Sequence, residues 1–175
     1  MSGPAIPQEA CARLFEAARC ADSAWNRQPW RFVLGQCPDP TYETLTAALA
    51  EDNRVKAATA VALVLAAVRT TDEAGERIRG TEYELGLAVG ALTARARAEG
   101  LSVRQYGGFD RASVRAALQV PDTHALVTVI GLRWARPRHG PVTRMPLADL
   151  VFSGSWGTPA DLATGKRRFS AESRY

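Results

Sequence analysis

Four short groups of residues carry side chains that bind or polarise other molecules. Asn53 and Lys56 stand three apart. On a helix that spacing puts them on one face, an amide donor and acceptor beside a cation. Gly107 and Gly108 are adjacent, and residues without a Cβ let a ligand approach the main chain closely. Arg144 offers a planar fork of N–H donors suited to a phosphate. Ser23, Ala24 and Asn26 lie in a polar stretch that ends at Pro29. Taken singly, each group has a plainer reading. Asn53 and Lys56 read as a solvated helix end, Gly107-Gly108 as a turn, Arg144 as a surface residue and Asn26 as a loop tie. Tyr106, just before the glycines, is either an acid–base candidate or a packing residue.

Other chemistries find no support. The three cysteines, Cys11, Cys20 and Cys37, are odd in number and lack metal-ligand spacing, and neither His124 nor His139 is near one. Zinc and a disulfide scaffold are therefore not expected, and no metal is. Cys11 and Cys20 are expected to pack as small apolar residues. No G-x-G-x-x-G, Walker or G-x-S-x-G pattern occurs. The net charge of +4 is modest, and its densest run, Lys166-Arg167-Arg168, sits in the tail without interleaved aromatics. A nucleic-acid partner is not expected. The longest apolar stretch, residues 57–68, is too short to span a bilayer. The start carries Pro4, Pro7 and Glu9 rather than a basic end and an apolar run. A cytoplasmic protein is expected.

The elements that must position these residues follow from periodicity. Cys11, Leu14, Phe15 and Ala18 predict a first helix. Residues 22–29 form a loop, and Trp30 to Leu34 a strand with Phe32 and Leu34 on one face. Thr41 to Ala50 reads as a second helix. Val61 to Val68 is an almost unbroken apolar run, as in a central strand covered on both faces. Residues 70–80 are charged and exposed. Thr81 to Glu99 is a long helix with Leu85, Ala88, Val89, Leu92 and Ala96 inward, ended by a left-handed Gly100. Its small residues Gly86, Ala88, Gly90 and Ala91 let another backbone come close. Leu101 to Tyr106 is a strand, and Asp110 caps a helix with Val114, Ala117 and Leu118 inward. Leu126 to Trp134 is the last strong strand, and Pro146 to Val151 a short helical turn. At 175 residues one domain is expected, 1–157, followed by a tail, 158–175.

In this order the motifs resemble the nitroreductase family. Leu14-Phe15-Glu16-Ala17-Ala18 and then Ser23 to Phe32 are similar to the family's first helix, its Pro-Ser-x-Asn loop and its Gln-Pro-Trp strand entry. Asn53-Arg54-Val55-Lys56 precedes the buried strand. Glu99-Gly100-Leu101 leads to Gly107-Gly108-Phe109-Asp110, and Arg144-Met145-Pro146-Leu147 to Val151 and Trp156. The resemblance implies an α+β fold, a mixed or antiparallel sheet of four to five strands covered by helices, in a domain-swapped homodimer. It implies FMN at the interface, reduced by NAD(P)H and reoxidised by a nitroaromatic, a quinone or a similar small molecule. Asn53 would meet the flavin's pyrimidine edge and Lys56 its N1–O2 edge, where negative charge develops on reduction. The Gly107 N–H would face N5, with Gly108 and Tyr106 beside it. Arg144 would bind the phosphate, and Ser23, Ala24 and Asn26 would reach the flavin from the partner subunit.

The sequence departs from that pattern in four places. No Arg precedes Arg13, where the family has an Arg-rich segment. Val142 stands where family members often carry a Lys, and Asp22 replaces the usual Pro. Residues 70–80 are too few for the family's helical excursion over the site. Each lost charge-assisted phosphate contact costs about 1.5–3 kcal/mol. Lys166, Arg167 and Arg168 could replace the missing arm from a tail crossing to the partner. Two alternatives stand beside the reductase: a flavin-dependent dehydrogenase or oxidase of a peptidic or biosynthetic intermediate with an additional subunit, and a degenerate binding or structural subunit without flavin.

Overall fold

The computed structural model describes residues 3–135 and 142–162. The chain divides into two compact units, 1–136 and 137–175. The first contains α1 (Gln8–Arg19), a short turn (Ala24–Asn26), β1 (Trp30–Gln36), α2 (Pro40–Ala48), α3 (Glu51–Ala57), β2 (Ala62–Arg69), α4 (Thr81–Ala98), β3 (Leu101–Tyr106), α5 (Arg111–Ala117) and β4 (His124–Trp134). The second contains a 3₁₀ turn, Leu147–Asp149. The four strands form one antiparallel sheet in the order β1-β2-β4-β3. This is the expected α+β class. No described helix is long and apolar enough to cross a membrane.

The apolar run at β2 is buried on both faces because its alternate side chains enter two cores. Ala62, Val64, Ala66 and Val68 meet α1 and α4 with Leu14, Leu85 and Leu92. Leu63, Leu65 and Ala67 meet the opposite layer with Leu45, Ala57 and Val114. Each fully buried leucine contributes about 1.5–3 kcal/mol of transfer free energy. Phe32 and Leu34 both pack against the α1–α4 core, as the alternation of β1 requires.

Three local readings need correction. The helix expected over residues 41–50 ends at Ala48, and a separate α3 follows. Leu49 turns extended, with ψ 138°, to bridge Phe109, and the Ala50 N–H donates to the Gly108 carbonyl at 3.1 Å. Pairing with a distant segment thus outweighs helix propensity. Ala117 faces solvent, leaving Val114 as the buried residue of the short α5. Cys20 is exposed beyond α1, whereas Cys11 is buried.

A charged cluster ties α1 to the end of α4. Arg13 binds Glu99 through Nε–Oε1 at 2.7 Å and Nη2–Oε2 at 2.8 Å, and Arg95 also donates to Glu99. The Arg13 guanidinium, with help from Arg95, holds the Glu99 carboxyl down at about 2 against an ordinary 4.5, although partial burial opposes this. A depressed carboxyl stabilises the fold above its unfolded pKa, and that contribution is lost as pH falls from about 4.5 through about 2. Glu99→Gln is therefore expected to lower the melting temperature at pH 7 and by much less at pH 2. An equal decrease at both would assign the effect to packing.

Candidate functional site

Asn53 and the two glycines meet at one edge of the sheet. β3 ends at Tyr106, and the chain then crosses toward the α2–α3 junction. There the Gly108 carbonyl accepts from Ala50 N–H at 3.1 Å and from Asn53 Nδ2 at 3.0 Å. A carbonyl only accepts, so the amide NH2 must face it, which turns Asn53 Oδ1 away from the turn. Lys56 follows one turn later on α3 and is exposed. A Cβ on Gly108 would lie 3.1 Å from Asn53 Nδ2, closer than the pair tolerates comfortably. A Cβ on Gly107 would meet nothing within 4 Å. Gly107 is exposed, and among the described residues its N–H donates to no other group.

Two residues absent from the sequence reading fix that turn. Thr128 Oγ1, buried on β4, donates to the Tyr106 carbonyl at 3.2 Å, which belongs to the same peptide as the Gly107 N–H. Arg111 spreads its guanidinium over three carbonyls: Leu126 at 2.9 Å, Gly107 at 3.2 Å and Val127 at 3.4 Å. It also lies 4.5 Å above the Phe109 ring. The carbonyls on either side of the Gly107 Cα are thus held, one by Thr128 of β4 and the other by Arg111 of α5. The only sequence signal was Arg111 directly after the cap Asp110, which by itself reads as a solvated charge.

Tyr106 is buried, and a Cβ on Gly131 would fall 2.8 Å from its ring. Burial pushes its phenol pKa up. The ring therefore fills core beside a glycine of β4 instead of facing the surface with Gly107.

Ser23, Ala24 and Asn26 sit at the opposite edge, before β1. Ser23 Oγ accepts from Gln28 N–H at 3.0 Å, and Asn26 Oδ1 from Gln28 Nε2 at 3.1 Å. Trp25 is 83% exposed, with the Arg27 guanidinium 4.2 Å above its ring. β1 and β3 are the two edge strands, so this loop and the glycine turn flank different sides of one sheet. Residues 70–80 contain no helix, only a Thr71–Arg77 bridge closing a turn. Among the described residues no group of three or more His, Cys, Asp or Glu could hold a metal.

The glycine turn and Asn53 suit the ring end of FMN, offering a close-approach surface and an outward amide, with the exposed Lys56 one turn along α3. For the phosphate end, Arg13, the first arginine of the chain, is committed to Glu99. Arg144 is exposed in the second unit. Lys166, Arg167 and Arg168 lie outside the described residues.

No family model matches the chain. An NADH dehydrogenase of Thermus thermophilus is 30% identical, over 83% of this chain and 85% of that protein. A 5,6-dimethylbenzimidazole synthase of Rhodospirillum rubrum is 30% identical, over 77% of this chain and 75% of that protein. Among solved structures, an oxidoreductase containing FMN superposes with TM-score 0.82 at 25% identity, covering 89% of this chain and 85% of that one. A putative nitroreductase in complex with FMN from Desulfovibrio desulfuricans has the same fold, with TM-score 0.72 at 24% identity and 89% of each chain covered.

Proposed function

Because the chain belongs to the nitroreductase family of FMN-dependent oxidoreductases, we propose that two copies of it enclose FMN and pass electrons from NAD(P)H to an electron-poor aromatic or quinone by a ping-pong sequence. When bound, FMN supplies reversible two-electron transfer, so no protein acid or base is required for that step. The residues orient and polarise. Gly107 presents an unobstructed N–H, fixed by Thr128 and Arg111. Asn53 offers its outward amide to the ring edge, and Lys56 adds a cation near developing negative charge. Ser23, Ala24 and Asn26 reach in from the partner, while Arg144 supplies a phosphate contact.

The open, exposed Gly107 turn beside an oriented Asn53 is the observation that carries this reading. The second copy is supported by apolar side chains that one chain leaves bare. α4 exposes Tyr83 and Leu87, with Gly86 and Gly90 open beside them, and the second unit exposes Met145, Leu147, Leu150 and Trp156. Steady-state kinetics with NADH or NADPH and a quinone test the reaction. Parallel double-reciprocal lines are expected, and intersecting lines would replace ping-pong with a ternary complex.

The likeness to a 5,6-dimethylbenzimidazole synthase favours a second reading, oxidation of a biosynthetic intermediate, in which turnover proceeds with oxygen and without NAD(P)H. The absence of a helix over residues 70–80 leaves room for a bulkier substrate in either reading.

A further inference from the structure

The loop before β1 holds an unusual backbone. Trp25, Asn26 and Gln28 have φ of 50°, 55° and 48°, and none is glycine. Side chains rarely take this left-handed region, and they stay there only where surrounding contacts over-determine them. Two of the contacts are local. Ser23 Oγ accepts from Gln28 N–H at 3.0 Å, and the Asn26 carbonyl accepts from Gln28 Nε2 at 3.1 Å. A further contact comes from sixty residues away: Glu84 Oε1, on α4, accepts the Ala24 N–H at 2.8 Å.

Glu84 is an odd occupant for its position. It is 8% exposed in a stripe otherwise made of Thr81, Leu85, Ala88, Val89, Leu92 and Ala96. Its Oε2 is buried and has no hydrogen-bond partner among the described residues. A buried carboxylate oxygen without a donor is costly, and an apolar side chain here would avoid that cost. Among the described residues, the only bond the carboxylate makes is to this loop.

We propose that Glu84 is a positioning residue that fixes the left-handed course of residues 24–28 by holding the Ala24 N–H, and so sets FMN affinity without touching FMN. The proposal rests on the reading that Ser23, Ala24 and Asn26 reach the flavin held by a second copy. Glu84 acts from the core side of the loop. Its carboxylate keeps the loop's recognition groups in one arrangement before any ligand arrives, which reduces the ordering that binding must impose.

The test compares Glu84→Gln, which keeps an acceptor oxygen, with Glu84→Met, which removes it. Amide hydrogen exchange over residues 24–28 is read in the FMN-free protein, and FMN dissociation constants are read separately by fluorescence quenching. Glu84→Met is expected to speed exchange and weaken FMN by about tenfold or more, the size of one charge-assisted hydrogen bond. Glu84→Gln is expected to stay within about threefold of wild type in both. If Glu84→Met does not fold, Ala24→Pro removes the donor from the exposed side. Ser23 already has φ −148° and ψ 150°, the extended conformation required before proline. Exchange at residues 26–28 should rise in that variant as well. Unchanged exchange in the variants overturns the hold on the loop, and faster exchange with unchanged FMN affinity overturns the role in binding. Wild-type protein that binds no FMN overturns the function proposed above instead, while the exchange measurement still decides whether Glu84 holds the loop.

Discussion

Gly107→Val is expected to fold like wild type yet lose FMN affinity on the order of a hundredfold. The two halves of this result have separate causes. A Cβ at this position meets nothing within 4 Å, and the residue is not among those with positive φ. Neither packing nor backbone strain opposes a β-branched side chain. The bonds that hold the turn involve carbonyls, Tyr106 to Thr128 and Gly107 to Arg111, and both survive the change. The added methyls project into the open space beside the N–H, where a flat ring must approach. Overpacking such a contact by a few atoms costs about 1–3 kcal/mol. Thermal unfolding and FMN titration of the same sample separate the effects. A Kd within threefold of wild type would remove the glycine turn from the site.

Asn53→Ala is expected to weaken FMN about tenfold or more while costing only about 1 kcal/mol of stability. The stability cost is small because the Gly108 carbonyl keeps its second donor, Ala50 N–H. The affinity loss is larger because Asn53 does two things at once. Its Nδ2 anchors α3 to the turn, and that anchorage turns Oδ1 outward. Asn53→Asp is not expected to rescue binding, since a carboxylate oxygen would then face the Gly108 carbonyl. Asn53→Ala with wild-type FMN affinity would leave Asn53 as a structural tie between α3 and the turn.

The parts of the fold that were legible in the sequence depend on local pattern or on burial that a strand advertises by itself. The run at β2 reads most naturally as a strand covered on both faces. The stripe of α4 and the cap at Asp110, which accepts from Ala112 and Ser113 N–H, are written within a few residues of where they act. What was not legible has its cause far along the chain. The break between α2 and α3 is made by Phe109 and Gly108. The left-handed backbone at Trp25, Asn26 and Gln28 is steadied by Glu84. Arg111 reads as a surface charge until β4 supplies the carbonyls it binds. For the site, sequence order brought Asn53, Gly107 and Gly108 into one list, and folding brought them into one place. The same order put Tyr106 with them, but its ring turns inward because Gly131 leaves a gap beneath it.

These features share one requirement. The groups expected to hold the ring sit on two edges of a single sheet, so one chain cannot enclose it. Native mass measurement of purified protein after incubation with FMN tests this directly. The expected species is yellow, has the mass of two chains and carries two FMN. A colourless species with the mass of one chain, unchanged by added FMN, would contradict the account.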